Sequence, residues 1–489
     1  MSTYFTLGWT LTKDGKRNTS AFAIPRELLM KHLAVLGSSG SGKTVALKRV
    51  IEELALSGIP VIVLDINGDM SRLAIPDTED ALVRKRHAPS VGEEWSDKVE
   101  VRIFTPVSTH GIQVNCSPLR PLPPNINEEV AMQTIDMTTE ALMAALQYKY
   151  SDDSMDYRVV KAFLYSVLDD ARKNNCYPTS FEQLKVLVES YQGSPELQAA
   201  IKSRKVAILD NLMASMTGLE GAIYTMGVPL SVPLLTTPAE PGKTPISIIH
   251  LGALSTKEQK QQVAAVVGML IYTHLLQTGN IGGNLKMAFV LDEVQDILPA
   301  DPYQPISKRI IGALFKQARK FGCAMMIATQ NWGAVSYQLL NNANTIIMGR
   351  NMSEQDVEKT RSFLKSYFVA TPQGLESVTA SVRAMDPGEF WVVSPDEWST
   401  PHRVKFLQTI TDHGPPIPIE RLDKLVPAYI RQYYDAMRGV VSTGRKGKKN
   451  GTFEVHTTLT DYKCSQCGCQ LTWVEEYKRY WCGSERRYV

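Results

Sequence analysis

Residues 37–44 match the pattern G-x-x-x-x-G-K-[ST], which requires one particular kind of local structure. An apolar run at 32–36 leads into the pattern, and a helix-compatible stretch at 45–50 follows it. A strand, a glycine-rich turn and a helix N-terminus in that order aim several backbone N–H groups at one phosphate. The sequence therefore predicts a phosphate-binding loop formed by Gly37, Ser38, Ser39, Gly40, Ser41, Gly42, Lys43 and Thr44.

Four side chains have defined expected roles at this loop. The Lys43 ammonium should reach the β- and γ-phosphates of a nucleotide, and the Thr44 hydroxyl should bind Mg²⁺. Asp292 and Glu293 directly follow an apolar run at 287–291, which predicts a strand that ends beside the phosphates. Asp292 should hold Mg²⁺ through water, and Glu293 should polarise the attacking water. We therefore expect ATP and Mg²⁺ as ligands and ATP hydrolysis as the reaction.

Further polar residues follow other predicted strands. Gln330 ends the strand at 324–328 and is a candidate sensor of the γ-phosphate or the lytic water, with Asn331 as a weaker candidate. Hydrolysis also needs a cation at the transferred phosphoryl group. The candidates are Arg350, which is our first choice, and Arg361 and Arg319, each acting in its own subunit or in a neighbouring one.

Asp65 and Asp69 flank the end of another apolar run at 60–65. They could contact Mg²⁺ or the lytic water, or cap the next helix, and the sequence leaves both alternatives open.

Strands and helices alternate along much of the chain, which predicts an α/β fold with a RecA-like P-loop core and a mostly parallel sheet. Helical periodicity dominates one long stretch in the middle. We therefore predict a short N-terminal β segment at 1–30, an ATPase core at 31–123 and 243–415, a helical insertion at 124–242, a helix and basic linker at 416–450, and a small zinc-ribbon-like module at 451–489.

Bulk properties narrow the class of protein. The net charge is +3, so contact with nucleic acid would need local basic patches. No run of about 18 apolar residues predicts a membrane span, and the first residues lack a signal pattern. We therefore expect a cytoplasmic protein without membrane contact.

Four of the seven cysteines lie close together near the C-terminus. Cys464 and Cys467 have the spacing of a zinc knuckle, and Cys482 follows at the distance expected for a second pair. Glu485 stands where a fourth cysteine would be, and Cys469 is an additional thiol. The alternatives are three thiolates with Glu485 or Cys469 as the fourth Zn²⁺ ligand, or a ribbon without metal.

Taken together, these motifs resemble the HerA/FtsK superfamily of ring-forming DNA translocases, and its HerA branch most. The resemblance covers roughly 25–125 and 243–395, and it is carried by the segments 32–44, 58–69, 291–295, 317–322, 327–331 and 342–350. It implies a homohexameric ring that threads double-stranded DNA and moves along it by ATP hydrolysis. Family relatives work beside nucleases in end resection or anti-phage defence, so a partner nuclease or defence effector is expected.

Two features differ from the resemblance. Fewer than 35 residues precede the core in this sequence, so we do not expect the β-barrel that usually stands there, and the insertion carries no readable motif. DNA contact should come from Lys and Arg bonding to phosphates. The candidates are Lys202, Arg204, Lys205, Lys257 and Lys260. The alternatives to a motor are a regulatory ATPase that gates a partner effector without translocating, and a scaffold.

Overall fold

The computed structural model describes residues 4–12, 17–123, 125–151, 153–279, 284–350, 354–365 and 372–437, and four short strands beyond residue 456. The chain forms two compact units, residues 1–430 and 431–489.

Thirteen strands of the described residues in the first unit form a single sheet. In chain order they are β1 (Tyr4–Leu11), β2 (Arg17–Pro25), β3 (Leu33–Leu36), β4 (Val61–Asp65), β5 (Val99–Pro106), β6 (Ile112–Asn115), β7 (Val228–Pro229), β8 (Thr244–His250), β9 (Met287–Asp292), β10 (Cys323–Thr329), β11 (Thr345–Met348), β12 (Glu389–Val393) and β13 (His402–Phe406).

The strand order is β2-β1-β13-β12-β11-β3-β10-β9-β4-β8-β5-β6-β7. All pairings from β11 to β7 are parallel, whereas β2, β1, β13 and β12 form an antiparallel edge that joins β11. The central strands β3, β4, β9 and β10 are buried along their whole length, as expected for parallel strands covered on both faces. The expectation of an α/β fold with a largely parallel sheet is confirmed.

The described residues form sixteen α-helices, many of them in the middle of the chain. They are α1 (Lys43–Leu56), α2 (Glu79–Arg84), α3 (Val91–Lys98), α4 (Glu128–Ala145), α5 (Met155–Lys173), α6 (Phe181–Ser190), α7 (Pro195–Ile201), α8 (Lys205–Ala214), α9 (Gly218–Thr225), α10 (Val232–Thr236), α11 (Lys257–Thr278), α12 (Ile306–Gln317), α13 (Tyr337–Leu340), α14 (Glu354–Lys365), α15 (Pro372–Ser381) and α16 (Ala428–Met437).

The stretch predicted to be a helical insertion contains α4 to α10 and the short strand β7. Its helix α4 contacts the long core helix α11, where the Thr138 hydroxyl lies 3.9 Å from the Met269 sulfur. It also contacts α12, where Arg309 lies 3.3 Å from the buried Glu140 carboxylate. The boundaries of the insertion stay a prediction.

Two of the differences between the structure and the expected elements lie after residue 388. One helix was predicted within 416–450, but a 3₁₀ turn at 419–424 is followed by a separate helix, α16. Pro427 lies between them, and its ring and missing N–H prevent a continuous helix. The strands β12 and β13 were not predicted, and they connect the N-terminal hairpin of β1 and β2 to the core sheet.

The second unit contains a four-stranded antiparallel sheet of β14 (Thr457–Lys463), β15 (Gln470–Val474), β16 (Arg479–Cys482) and β17 (Arg487–Tyr488). The zinc expectation falls mostly outside the described residues, which do not include Cys464, Cys467, Cys469 or Glu485. Within the part of the chain that is described, no group of three or more His, Cys, Asp or Glu residues could hold a metal ion.

None of the helices in the described ranges has both the length and the apolar character that crossing a membrane requires.

Candidate active site

The predicted phosphate loop lies between β3 and α1, with α1 beginning at Lys43. Gly40 and Gly42 adopt φ values of 74° and 90°, a region that residues with a side chain rarely enter. A Cβ on Gly42 would also come within 2.9 Å of the Gly388 nitrogen. The loop therefore needs glycine at position 42 for both its backbone conformation and its packing.

Two neighbouring segments hold the loop in place. The Arg350 carbonyl at the end of β11 accepts hydrogen bonds from the Ser38 backbone N–H, at 2.9 Å, and from the Ser38 hydroxyl, at 2.8 Å. The Gly388 N–H, just before β12, donates to the Ser41 carbonyl at 2.8 Å. The Gly388 contact was not predicted, because it joins residues far apart in the chain.

Parallel pairing brings the two predicted motifs together. Strand β10 lies between β3 and β9, so the loop after β3 and the acids at the end of β9 meet at the same edge of the sheet. The Lys43 ammonium lies 2.9 Å from Glu293 Oε2 and 3.4 Å from Asp292 Oδ1. All three side chains are buried, with at most 6% of each exposed.

Burial and charge set the electrostatics of this cluster. Burial by itself would lower the pKa of Lys43, but the carboxylates of Asp292 and Glu293 outweigh it and the pKa is raised. Burial raises the pKa of Asp292 despite the opposing charge of Lys43. Lys43 is therefore charged, and it neutralises acids that would otherwise repel each other.

Asp65 lies beside Asp292 in the sheet register and is fully buried. Its carboxylate accepts hydrogen bonds from the N–H groups of Gly68, at 2.8 Å, and Met70, at 3.0 Å. Burial and the neighbouring Asp292 raise the pKa of Asp65 to about 7. These contacts favour the capping alternative for Asp65, because its oxygens bind the turn that begins the 3₁₀ segment at 69–74.

The candidate sensor lies next to Glu293. The Gln330 backbone N–H donates to Glu293 Oε1 at 3.3 Å. Gln330 and Asn331 line a cavity of about 360 Å³ together with Asn67, Glu293 and Asp296. The cavity thus offers amide and carboxylate groups next to Glu293.

The three candidate arginines lie in different places. Arg350 lies against the loop. A Cβ atom placed on Gly40 would be 3.8 Å from the Nη2 atom of Arg350. Arg361 is exposed on α14. Arg319 lies in the 3₁₀ turn before β10, at the amino end of the parallel strands and so at the opposite edge from the loop. Seven residues of β10 separate the two edges, a distance of about 20 Å.

Two polar atoms at the loop are buried without a partner. In the described structure, neither the Ser41 hydroxyl nor the Arg350 Nε atom has a hydrogen-bond partner. Unpaired buried donors are costly, so a group that accepts hydrogen bonds would stabilise this region. A phosphate is such a group, and the hydroxyl and carboxylate of Thr44 and Asp292 are oxygen donors of the kind that Mg²⁺ prefers.

Sequence reasoning missed Lys48, which lies one turn beyond the loop on α1 and is fully buried. Its ammonium has no hydrogen-bond partner within the described ranges. Burial lowers the pKa of Lys48, against the opposing effect of nearby Asp65 and Asp69. The sequence signal for a buried lysine was its position between the apolar residues of α1, at Ala46, Leu47 and Val50.

The candidate DNA-contacting residues differ in their engagement. Arg204 donates to Asp156, and the Lys205 ammonium donates to the Glu189 carbonyl at 2.9 Å, so both tie helices of the middle stretch together. Lys202 is exposed on the surface. Lys257 and Lys260 lie in the first turn of α11, at the carboxyl edge of the sheet.

Comparison with known families decides the relationship. The family model described as the central domain of helicase HerA (DUF87) matches residues 7–270, more than half of the chain. The chain belongs to this HerA family. The match includes the phosphate loop and β8, and it confirms the resemblance inferred from the motifs. No curated protein matches the sequence.

Solved structures show the same fold at low sequence identity. The bacterial conjugative coupling protein TrwB, in its unbound form, is 12% identical with a TM-score of 0.52, over 84% of this chain and 91% of that one. VirB4 of Thermoanaerobacter pseudethanolicus is 12% identical with a TM-score of 0.53, over 82% and 96%. TrwB in complex with ADP and Mg²⁺ is 14% identical with a TM-score of 0.51, over 85% and 97%. This HerA-family chain therefore shares its overall architecture with TrwB and VirB4.

Proposed function

We propose that this HerA-family chain is an ATP-hydrolysing motor that forms a ring, expected to be a homohexamer, and translocates double-stranded DNA. The observation that carries the proposal is the burial of Lys43, Asp292 and Glu293 beside a phosphate loop whose Ser41 hydroxyl is unpaired. This is the arrangement that a nucleoside triphosphate and its attacking water require. The TrwB complex with ADP and Mg²⁺ shares the fold and supports ATP with Mg²⁺ as the ligand.

The residues of the loop bind the nucleotide in this proposal. The backbone N–H groups of residues 37–44 surround the phosphates. The Lys43 ammonium moves away from the carboxylates of Asp292 and Glu293 and bonds to the β- and γ-phosphates. Thr44 and Asp292 would hold Mg²⁺, which neutralises phosphate charge when it is bound. Once Lys43 has moved, Glu293 is free to accept a proton from the attacking water.

Gln330 and the arginines complete the site. Gln330 adjoins Glu293 and would orient the attacking water through the cavity that both residues line. Arg350, next to Gly40, acts on the nucleotide of its own subunit. Arg319, about 20 Å away at the other edge of the sheet, can act only on the nucleotide of a neighbouring subunit. Head-to-tail contacts of this kind close into a ring.

DNA contact is assigned mainly to Lys202 and Lys260, because Arg204 and Lys205 already bond within the chain. Lys257 is assigned with them, since its ion pair with Asp296 is exposed and phosphates can compete for the ammonium. Such contacts bind phosphates without reading sequence. We expect the motor to serve a partner nuclease or defence effector, as the family resemblance implies.

For the C-terminal module we propose a zinc ribbon with Cys464, Cys467 and Cys482 as ligands and Glu485 or Cys469 as the fourth. Metal analysis of the purified protein should find about one zinc per chain, and a Cys482→Ser variant should lose it. Equal metal content in both proteins would contradict this assignment.

The motor is tested by ATP hydrolysis and by displacement of a third strand from a triplex-bearing duplex. We expect duplex DNA to stimulate ATP hydrolysis and the protein to displace the third strand only with hydrolysable ATP. Hydrolysis that no DNA stimulates, without displacement, would contradict the motor and favour the regulatory ATPase.

A further inference from the structure

The catalytic candidate Glu293 lies in a turn whose backbone is strained. Glu293 has φ 55° and ψ 62°, the left-handed conformation, which costs energy for a residue with a side chain. The turn continues as a short 3₁₀ segment at 294–296, in which the Val294 carbonyl accepts the N–H groups of Ile297 and Leu298. A strained residue keeps its conformation only when its surroundings hold it, so the contacts of this turn affect where the Glu293 carboxylate points.

The start of α11 provides those contacts. The Gln261 side-chain amide donates to the Asp296 carbonyl at 2.6 Å. The Lys257 ammonium lies 3.3 Å from the Asp296 carboxylate. Lys257 and Gln261 of α11 therefore both bond to Asp296, and we call these two contacts the Asp296 clamp. Asp296 follows Glu293 by three positions and lines the same cavity.

This first turn of α11 is itself well anchored. Thr256 and Gln259 form a capping box, in which each side chain bonds the other's backbone N–H. The Gln259 side-chain amide also donates to Glu220 in α9 at 3.1 Å. The start of α11 is therefore held by contacts of its own, independent of those that it makes with Asp296.

The ion pair of the clamp, between Lys257 and Asp296, is accessible to a charged partner. The side chains of Lys257 and Asp296 are 46% and 43% exposed, so their ion pair contributes little free energy and is open to competition. The phosphates of duplex DNA carry a high density of negative charge and attract Lys and Arg strongly.

We propose that Asp296 is a positioning residue for Glu293, and that duplex DNA accelerates hydrolysis by drawing Lys257 away from Asp296. This inference rests on the proposed function, because it names how DNA acts on the ATPase site. Without DNA, the clamp of Lys257 and Gln261 on Asp296 holds the Glu293 carboxylate in the position described above, turned from the attacking water even after Lys43 has moved to the phosphates. When phosphates bind Lys257, the turn relaxes and Glu293 turns to the attacking water.

The test measures steady-state ATP hydrolysis by the full chain, with and without duplex DNA, in the variants Asp296→Asn and Lys257→Gln. Lys98→Gln is the matched control, because Lys98 forms a similarly exposed pair with Glu94, at 2.7 Å, on α3. We expect the DNA-free rate of Asp296→Asn and Lys257→Gln to rise by about fivefold, as expected for the loss of one exposed ion pair. The ratio of the ATPase rate with DNA to the rate without DNA should fall towards one in both variants. Lys98→Gln should have the rates of the wild type.

DNA affinity separates the two clamp variants. Asp296→Asn should bind duplex DNA somewhat more tightly than the wild type, by up to about fivefold, because Lys257 no longer has a competing partner. Lys257→Gln should bind more weakly, with the dependence of log affinity on log salt reduced by about one. The double variant Lys257→Asp with Asp296→Lys restores the ion pair with reversed charges. It should return the DNA-free rate to the wild-type level while DNA stimulation stays lost, a pattern that a merely structural role would not produce.

The outcomes also separate this inference from the proposed function. If Asp296→Asn keeps the wild-type rate without DNA and the wild-type stimulation with it, the clamp is overturned and the motor stands. If the wild-type ATPase ignores DNA, the motor and the DNA half of the inference fail. The DNA-free rates of Asp296→Asn and Lys98→Gln then still decide whether the clamp restrains Glu293.

Discussion

Lys43 has two sets of partners at different stages of the proposed cycle. In the structure, its ammonium bridges Asp292 and Glu293 inside the protein. With nucleotide, the phosphates would take its place as the charge partner. The lysine thus allows two adjacent acids to stay buried, and in the proposed cycle ATP draws Lys43 away and leaves Glu293 without this charge partner.

We expect Lys43→Met to destabilise the nucleotide-free protein as well as abolish ATP binding. Removing one partner of a buried ion pair leaves uncompensated charge, with a cost of about 3 kcal/mol. Adding Glu293→Gln to Lys43→Met removes one of the two uncompensated carboxylates, so part of the stability should return. Thermal unfolding of the two variants and the wild type measures this. Equal midpoints for Lys43→Met and the wild type would contradict the neutralising role.

His32 provides a pH-dependent contribution to stability away from the site. Its Nδ1 atom accepts the Met325 N–H at 3.1 Å, and its Nε2 atom lies 3.0 Å from the Phe315 carbonyl, which requires the neutral ring. Burial lowers the pKa of His32 from 6.5 to about 4. The unfolded chain therefore binds a proton at higher pH than the folded one, and stability is lost as pH falls from about 6.5 towards 4.

The expected loss is about 3 kcal/mol over that range, from the difference between the two pKa values. Denaturant unfolding at a series of pH values measures it. We expect His32→Gln to show a shallower dependence of unfolding free energy on pH than the wild type between pH 6.5 and 4. Identical slopes for the two proteins would contradict a neutral buried His32.

The phosphate loop depends on a neighbouring turn that precedes β12. Gly388 has φ 80° and donates its N–H to the Ser41 carbonyl. We expect Gly388→Ala to lose about 1 kcal/mol of stability from backbone strain, and to weaken ATP binding several-fold because the hydrogen bond shifts.

Gly242→Ala is the matched control for this variant. Gly242 has φ 95° and open space around it, but it does not contact the loop. It should lose similar stability and bind ATP as the wild type does, as measured by titration with a fluorescent ATP analogue. Equal ATP affinity in the two variants would show that the turn before β12 does not support the loop.

The sequence predicted the parts of the site that depend on short, local patterns. The loop at 37–44 and the acids after β9 each follow an apolar strand, and parallel pairing then brings them to one edge. The contacts of Gly388 and Gln261 were not predictable in this way, because each joins elements far apart in the chain. Asp65 shows the same limit, since its position was evident but the two N–H groups that it binds were not.

The two candidate arginines at opposite edges of the sheet bear on how subunits cooperate. Arg350 lies at the loop of its own subunit, and Arg319 lies about 20 Å from it. In a ring, each nucleotide would then receive Arg350 from one subunit and Arg319 from the next.

Mixing inactive subunits distinguishes the two arginines. We expect Glu293→Gln and Arg319→Ala subunits, each inactive alone, to recover part of the ATPase rate when mixed. Some interfaces would then combine an intact Glu293 with an intact Arg319 from the neighbour. A mixture of Glu293→Gln with Arg350→Ala should recover nothing, because both residues belong to one subunit. Recovery in both mixtures, or in neither, would contradict this assignment of the arginines.

The most direct test of the whole proposal is the rate of ATP hydrolysis by the wild-type chain and by Glu293→Gln, measured with duplex DNA. We expect the wild type to hydrolyse ATP and the variant to lose about 100-fold or more of that rate, since a general base contributes a factor of about 10²–10⁴. The variant should still bind ATP and assemble as the wild type does. A variant that hydrolyses ATP at the wild-type rate would contradict the site described between the phosphate loop and β9.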